Sequence, residues 1–259
     1  GAFQIPDNPG QTPAFQYGSE TNFNSAQLNE TQQESNDFAA LSYLKATQDY
    51  DFQISGFARY STLEYTPDPI GDLMFYGLAQ TARRTDLAQG LQADATYRLG
   101  GGHTLRYGGL ITAERATAST NSAVFPCLDT TCTSVGTSPV SIADSSGITG
   151  WTYSAYLQDE WQVTPTVTIN YGGRFDVLNA YTNANQLSPR INMVWKPRAD
   201  TTFHAGYSRY FTPPALEFVS GESIGKFAGT TGYPAGYTPA SPPADGPILP
   251  ERADYFDIG

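Results

Sequence analysis

Apolar and polar side chains alternate with a period of two along much of this chain. Between Trp151 and Thr164, one face collects Trp151, Tyr153, Ala155, Leu157, Trp161 and Val163, with Asp159 as the exception. The opposite face collects Thr152, Ser154, Gln158, Glu160, Gln162 and Thr164, interrupted by Tyr156. The next stretch repeats the pattern, with Val167, Ile169, Tyr171, Gly173, Phe175 and Val177 set against Thr168, Asn170, Gly172, Arg174 and Asp176. A period of two predicts a strand with one apolar and one polar side. A helix would instead gather its charges at three- and four-residue spacing, and these stretches do not. Weaker versions of the same pattern predict strands over residues 38–47, 51–64, 88–99, 103–116, 187–196, 201–211 and 253–259, making about nine in all.

The connections carry a second signal. Residues 48–50, 100–102, 164–166 and 197–200 make short turns, whereas 65–87, 117–150 and 212–252 are long and 179–186 is intermediate. Short turns at one end and long loops at the other describe an up-and-down meander, the arrangement of outer-membrane barrels with periplasmic turns and extracellular loops. The strand lengths suit a crossing of about 9–11 tilted residues and exceed the usual 5–6 of globular sheets. Trp151 and Trp161 lie ten positions apart on one face. At about 3.3 Å per residue, tilted, they are separated by about 25 Å in height, the spacing of two aromatic girdles. A β-sandwich core would leave similar alternation, so both readings stand at this point.

Composition narrows the function. The 259 residues carry 14 Lys+Arg against 25 Asp+Glu, a net charge of −11, which argues against a nucleic-acid partner. Only 15% of residues are charged while 13% are aromatic, in keeping with an all-β chain. No run reaches 18 apolar residues, so no transmembrane helix is expected. Cys127 and Cys132, in a Thr/Ser-rich stretch, are predicted to close a small loop disulfide in an oxidising compartment, the alternative being two free thiols. With two His, neither near that pair, no metal site or cofactor is expected. Catalysis is not expected either. Asp159 and Glu160 are adjacent and point to opposite faces, and no Ser–His–Asp set, P-loop or HExxH motif stands out.

Four short motifs, in order, resemble those of TonB-dependent outer-membrane receptors. Ser154-Ala155-Tyr156-Leu157-Gln158-Asp159-Glu160-Trp161 followed by residues 168–176 is similar to that family's hairpin. Leu187-Ser188-Pro189-Arg190-Ile191 with Val194-Trp195-Lys196-Pro197 resembles its next strand. Gly206-Tyr207-Ser208-Arg209-Tyr210-Phe211 with Pro213, Pro214, Leu216 and Glu217, and then Pro250-Glu251 through Gly259, complete the set. The resemblance covers residues 151–259; residues 38–116 match only in strand-and-loop style. It implies a 22-stranded barrel in the bacterial outer membrane, a plug inside it, and TonB-powered uptake of a scarce small ligand such as a ferric siderophore. The expected partners are therefore the outer-membrane bilayer, TonB and a small extracellular ligand. The plug and the TonB-contacting segment are not found in this sequence. It reads as a mid-barrel portion, with residues 1–36 loop-like and 37–259 forming strands and loops, and with two open edges that disfavour folding alone.

On this reading, Arg174, Asp176, Arg190 and Asn192 are lumen-facing. They either contact a plug or ligand, or form a solvated, mutually paired wall. The loop 212–252 is the best candidate for ligand contact through Phe218, Phe227, Tyr233 and Tyr237, an ordinary self-packed loop being the alternative. Its charges sum to −2 (Lys226 and Arg252 against Glu217, Glu222, Asp245 and Glu251), which favours a neutral or cationic ligand. A non-energised porin-like barrel and a secreted sandwich binding module are the competing functions.

Overall fold

The computed structural model describes residues 13–216, 223–233 and 249–259. Among these residues, nine strands run in chain order through one antiparallel sheet: β1 (Thr31–Ala46), β2 (Tyr50–Thr66), β3 (Leu78–Gly100), β4 (His103–Val124), β5 (Val140–Thr164), β6 (Val167–Asn179), β7 (Asn183–Arg198), β8 (Thr201–Thr212) and β9 (Glu251–Ile258). Each strand pairs with its sequence neighbour, and β1 does not pair with β9, so the sheet is an open wall.

Burial is distributed in the opposite sense to that of a soluble protein. Tyr97, Leu91, Ile111, Leu157, Phe175, Leu187, Met193 and Trp195 are exposed, whereas Asp86, Ser154, Asp176, Gln186 and Ser188 are buried. The cross-strand registers put the first group on one face and the second on the other. A wall that shows its large apolar side chains outward and covers its carboxylates and hydroxyls has hydrocarbon on one side and a polar interior on the other. No second layer of protein covers the apolar face among the described residues.

The central strands are much longer than the alternation predicts. β3, β4 and β5 run 23, 22 and 25 residues. At about 3.3 Å per residue β5 is about 80 Å long, while a bilayer crossing takes about 9–11 residues. The excess lies at the long-loop end, so residues 78–87, 117–124 and 140–150, expected to be loop, are strand. In those stretches Ala116-Thr117-Ala118-Ser119-Thr120-Asn121-Ser122 keeps strand-compatible residues but no apolar stripe. β1 likewise begins at Thr31, so residues 31–36 are strand rather than loop. The connection after β6 shrinks to residues 180–182, closed by Ala180 N–H on the Thr182 carbonyl at 3.2 Å.

Tyr156, the break in the polar face, is accounted for by Gly108 on the neighbouring strand. A Cβ at Gly108 would lie 2.7 Å from the Tyr156 ring and 2.5 Å from the Ala93 carbonyl. The bare backbone lets the ring cross β4, and its hydroxyl donates to Asp94 Oδ1 on β3 at 2.7 Å. One tyrosine thus ties three strands together.

Candidate functional site

Among the described residues, packing in the usual soluble sense occurs at the long-loop end, where four remote segments meet. After β2, the short helix α1 (Gly71–Tyr76) buries Leu73 and Met74. It ends at Gly77, whose φ of +70° and N–H bond to the Leu73 carbonyl form a left-handed cap. A Cβ there would lie 2.8 Å from both Phe15 and Thr231. After β4, Phe125 is fully buried against Leu73, Ala79 and the ring of Phe15 at 6.0 Å. Residues 223–233, between β8 and β9, close the cluster. Thr231 N–H donates to the Phe125 carbonyl at 2.9 Å, its hydroxyl donates to the Gly77 carbonyl, and Cys127 N–H donates to the Gly229 carbonyl at 2.8 Å. The chain before β1 joins through Phe15 N–H to the Met74 carbonyl at 2.9 Å.

Charges pin the same platform. Lys226 Nζ lies 2.6 Å from Asp144 Oδ1 on β5, and Ser223 N–H donates to Oδ2 at 2.7 Å. The Lys226 hydrogen bond, with the Ser223 amide behind it, holds the Asp144 carboxyl down at about 2. Cys127 and Cys132 are joined as a disulfide at the tip of the β4–β5 connection. Within that loop Asp129 accepts from the hydroxyls and amides of Thr131 and Thr133 and from the amide of Ser134, led by the Thr133 hydroxyl, which holds its carboxyl far below the ordinary range. Asp68 caps α1 through the amides of Ile70 and Gly71 and also accepts from Asn29 N–H at 2.9 Å. Asp72, buried beside Glu30 and Asp68, is pushed up to about 7, first by desolvation and then by the Glu30 charge.

The residues singled out from the sequence fall in three places. Phe227 is buried under its own loop, and a Cβ at Gly232 would lie 2.7 Å from its ring. The structure therefore corrects its assignment as a ligand contact, because it packs the platform from inside. Tyr233 is half-buried beside it, and Phe218 and Tyr237 lie outside the described residues. On the polar face, Arg174 Nε pairs with Asp176 at 2.7 Å, Arg174 Nη2 reaches Ser154 Oγ at 2.9 Å, and Ser154 donates to Asp176 at 2.5 Å. Asn192 lies over Gly206, its Nδ2 2.8 Å from where a Cβ would stand, and Arg190 is exposed. Trp151 and Trp161 share the apolar face. Trp151 is 43% exposed and stacks on Tyr153, while Trp161 stacks on His103 at 5.1 Å. Asp159 and Glu160 diverge, Asp159 to His103 at 2.7 Å and Glu160 to Arg106 at 2.8 Å on the opposite face. Among the described residues, no group of three or more His, Cys, Asp or Glu is arranged to hold a metal ion.

Residues 2–259 match the family described as TonB dependent receptor-like, beta-barrel. The chain belongs to that family. This TonB-dependent receptor barrel chain is therefore an outer-membrane protein, and its apolar face meets lipid. It is similar in fold to the siderophore receptor PiuA of Acinetobacter baumannii, at 16% identity and TM-score 0.50, over 90% of this chain and 38% of that one. It is also similar to the ferric citrate transporter FecA in its unliganded form, at 16% identity and TM-score 0.52, over 70% of this chain and 28% of that one. A third likeness is to a structure of the FpvAI–pyocin S2 complex, at 15% identity and TM-score 0.50, covering 80% and 32% of the two chains. The chain thus spans about a third of the length of these solved proteins. No curated protein matches it.

The platform leaves no period in the sequence because its members are short apolar runs in otherwise polar stretches. The nearest signal is Leu73-Met74-Phe75-Tyr76 and Val124-Phe125, two short apolar runs inside stretches that otherwise read as loop.

Proposed function

We propose that this TonB-dependent receptor barrel chain supplies wall and ligand-facing loops to a receptor that takes up a scarce small ligand, such as a ferric siderophore, under TonB drive. The observation that carries this reading is the sheet's inverted burial together with a built platform at its long-loop end. A diffusion pore needs the wall, but has no use for three loops locked together by a buried cluster and a Lys226–Asp144 pair. Tyr233, with Phe218 and Tyr237 of the same loop, is assigned to ligand contact, and the net-negative loop favours a neutral or cationic ligand. Trp151 and Trp161 are assigned to the two aromatic girdles. Arg174, Asp176, Arg190 and Asn192 are assigned to the lumen, where Arg190 has the exposure needed to meet a plug and Arg174 is held by its neighbours.

The test uses the full-length receptor that contains this chain, in a host deleted for its own iron receptors. Uptake of a labelled ferric siderophore panel is measured under iron limitation, with and without TonB. TonB-dependent uptake that falls on deletion of residues 223–233 supports the reading. Leakage of small solutes without TonB, unaffected by that deletion, supports a porin instead.

A further inference from the structure

Two charges of opposite sign share a row on the polar face of the first three strands. The registers Glu34↔Leu63 and Leu63↔Arg84 line up β1, β2 and β3, and Arg84 stands two residues before the buried Asp86 on the same face. Both Glu34 and Arg84 are exposed. Glu34 accepts from Gln32 Nε2 at 2.6 Å, and Arg84 makes no hydrogen bond or ion pair among the described residues. The neighbouring cation is already committed, with Arg59 Nη2 2.7 Å from Asp86 Oδ2. Adjacent strands are about 4.8 Å apart, so two spacings set the Glu34 and Arg84 backbones about 10 Å from each other, with Leu63 between them.

An open pocket of about 380 Å³ lies over this row. Leu63 gives it an apolar floor, and in the next row Ser61 donates to Asn36 Oδ1 at 3.5 Å. Along β3, Arg84 precedes Gln89 by five residues, and Gln89 shares a row with Ala113 and Trp151. Arg84 also follows Ala79 by five residues, and Ala79 is buried in the loop platform. The pocket therefore faces the lumen between the platform and the Trp151 row, on the path of a solute arriving from outside.

An acid and a base held apart across an apolar strip, neither neutralised by the other, complement a molecule that carries both charges at that spacing. We infer that this pocket binds a short peptide-type zwitterion, with its ammonium on Glu34 and its carboxylate on Arg84. An extended chain advances about 3.3–3.6 Å per residue, so a tripeptide covers the distance of about 10 Å. The guanidinium gives paired N–H groups to the carboxylate, the ammonium donates to Glu34, and the central side chain rests on Leu63. Such a ligand is neutral overall, in keeping with the net-negative β8–β9 loop. The inference rests on the receptor reading, which puts this pocket on the ligand's route, and it narrows the ligand to one bearing both charges.

The experiment is isothermal titration calorimetry on the full-length receptor in detergent, without TonB. The probes are the tripeptide Ala-Leu-Ala with free ends, with its N-terminus acetylated, with its C-terminus amidated, and with both ends blocked. The free peptide should bind at least about tenfold more tightly than either singly blocked form. Arg84→Gln should lower the free peptide to the affinity of the amidated one and leave the amidated one unchanged, and Glu34→Gln should do the same with respect to the acetylated one. Exchanging the charges, Glu34→Arg together with Arg84→Glu, should restore the preference for the free peptide, because a zwitterion binds equally well turned end for end. Absence of free-peptide binding, equal affinity for the four probes, a preference that survives Arg84→Gln, or an exchanged pair that fails to restore it overturns the inference. Siderophore uptake under TonB drive is read separately, so loss of one reading is distinguishable from loss of the other.

Discussion

Phe125→Ala is the sharpest test of the loop platform. Phe125 is fully buried, packs on Phe15, Leu73 and Ala79, and its carbonyl accepts from Thr231. Burying an aromatic side chain removes about 150–250 Å² from water, and at about 25 cal/mol per Å² that is about 4–6 kcal/mol. Measured Phe→Ala losses in cores are about 3–5 kcal/mol. The loss falls on the platform alone, because the wall is held by its hydrogen-bond ladder and by lipid. At about 1.4 kcal/mol per tenfold, opening of the platform should become about 10²–10⁴ times more frequent. Hydrogen exchange on the full-length receptor in detergent reads this directly. Amides of residues 13–20, 71–79 and 223–233 should lose that much protection together, while β6–β8 within the bilayer stay unchanged. Unaltered protection in the three segments, or loss spread evenly over the wall, would refute the claim that these loops form one cooperative unit.

The Asp72 carboxyl, raised to about 7, is stabilising while protonated. Its contribution is full below the unfolded value near 4 and is lost as pH rises through 7. Exchange-corrected protection of residues 70–77 should therefore fall between pH 5 and 8, and Asp72→Asn should flatten that dependence. Replacing Cys127 and Cys132 by Ser removes a crosslink worth about 2 kcal/mol by chain-entropy arithmetic, which limited proteolysis of residues 126–136 should register as faster cleavage. Gly108→Val should expel Tyr156 from β4 and lower the thermal midpoint by more than Tyr156→Phe, which removes only the bond to Asp94, about 1.5–3 kcal/mol; equal effects would mean the ring does not need the glycine. The 259-residue chain expressed alone should self-associate, because β1 exposes Leu41, Tyr43 and Leu44 along a free edge; a monodisperse folded product would contradict this.

The part of the wall that meets lipid was legible because each strand there separates two solvents, and alternation records that separation. Residues 151–178 carry the clearest record, and they pair in the structure as β5 and β6. Where β3, β4 and β5 run on toward the long-loop end the outward face is no longer apolar and the record stops, which is why residues 117–124 and 140–150 read as loop. The two residues that broke the pattern mark places where the structure adds something. Tyr156 bridges three strands, and Asp159 recruits His103 and Tyr171. Phe227 illustrates the opposite failure. An aromatic in a Gly/Pro-rich loop looks like a contact for something outside, and only the placement of Val124 and Gly232 shows that its partner is internal.

The platform also fixes an order of events during biogenesis. Phe15 and Thr231 are far apart in sequence and meet over Gly77, so the cap cannot be completed until the hairpins between them have been laid side by side. Its completion thus reports on the pairing of every hairpin between those two residues. A protein inserted with one hairpin out of place would reach the cell surface with its tip unsealed, and surface proteases would find it first.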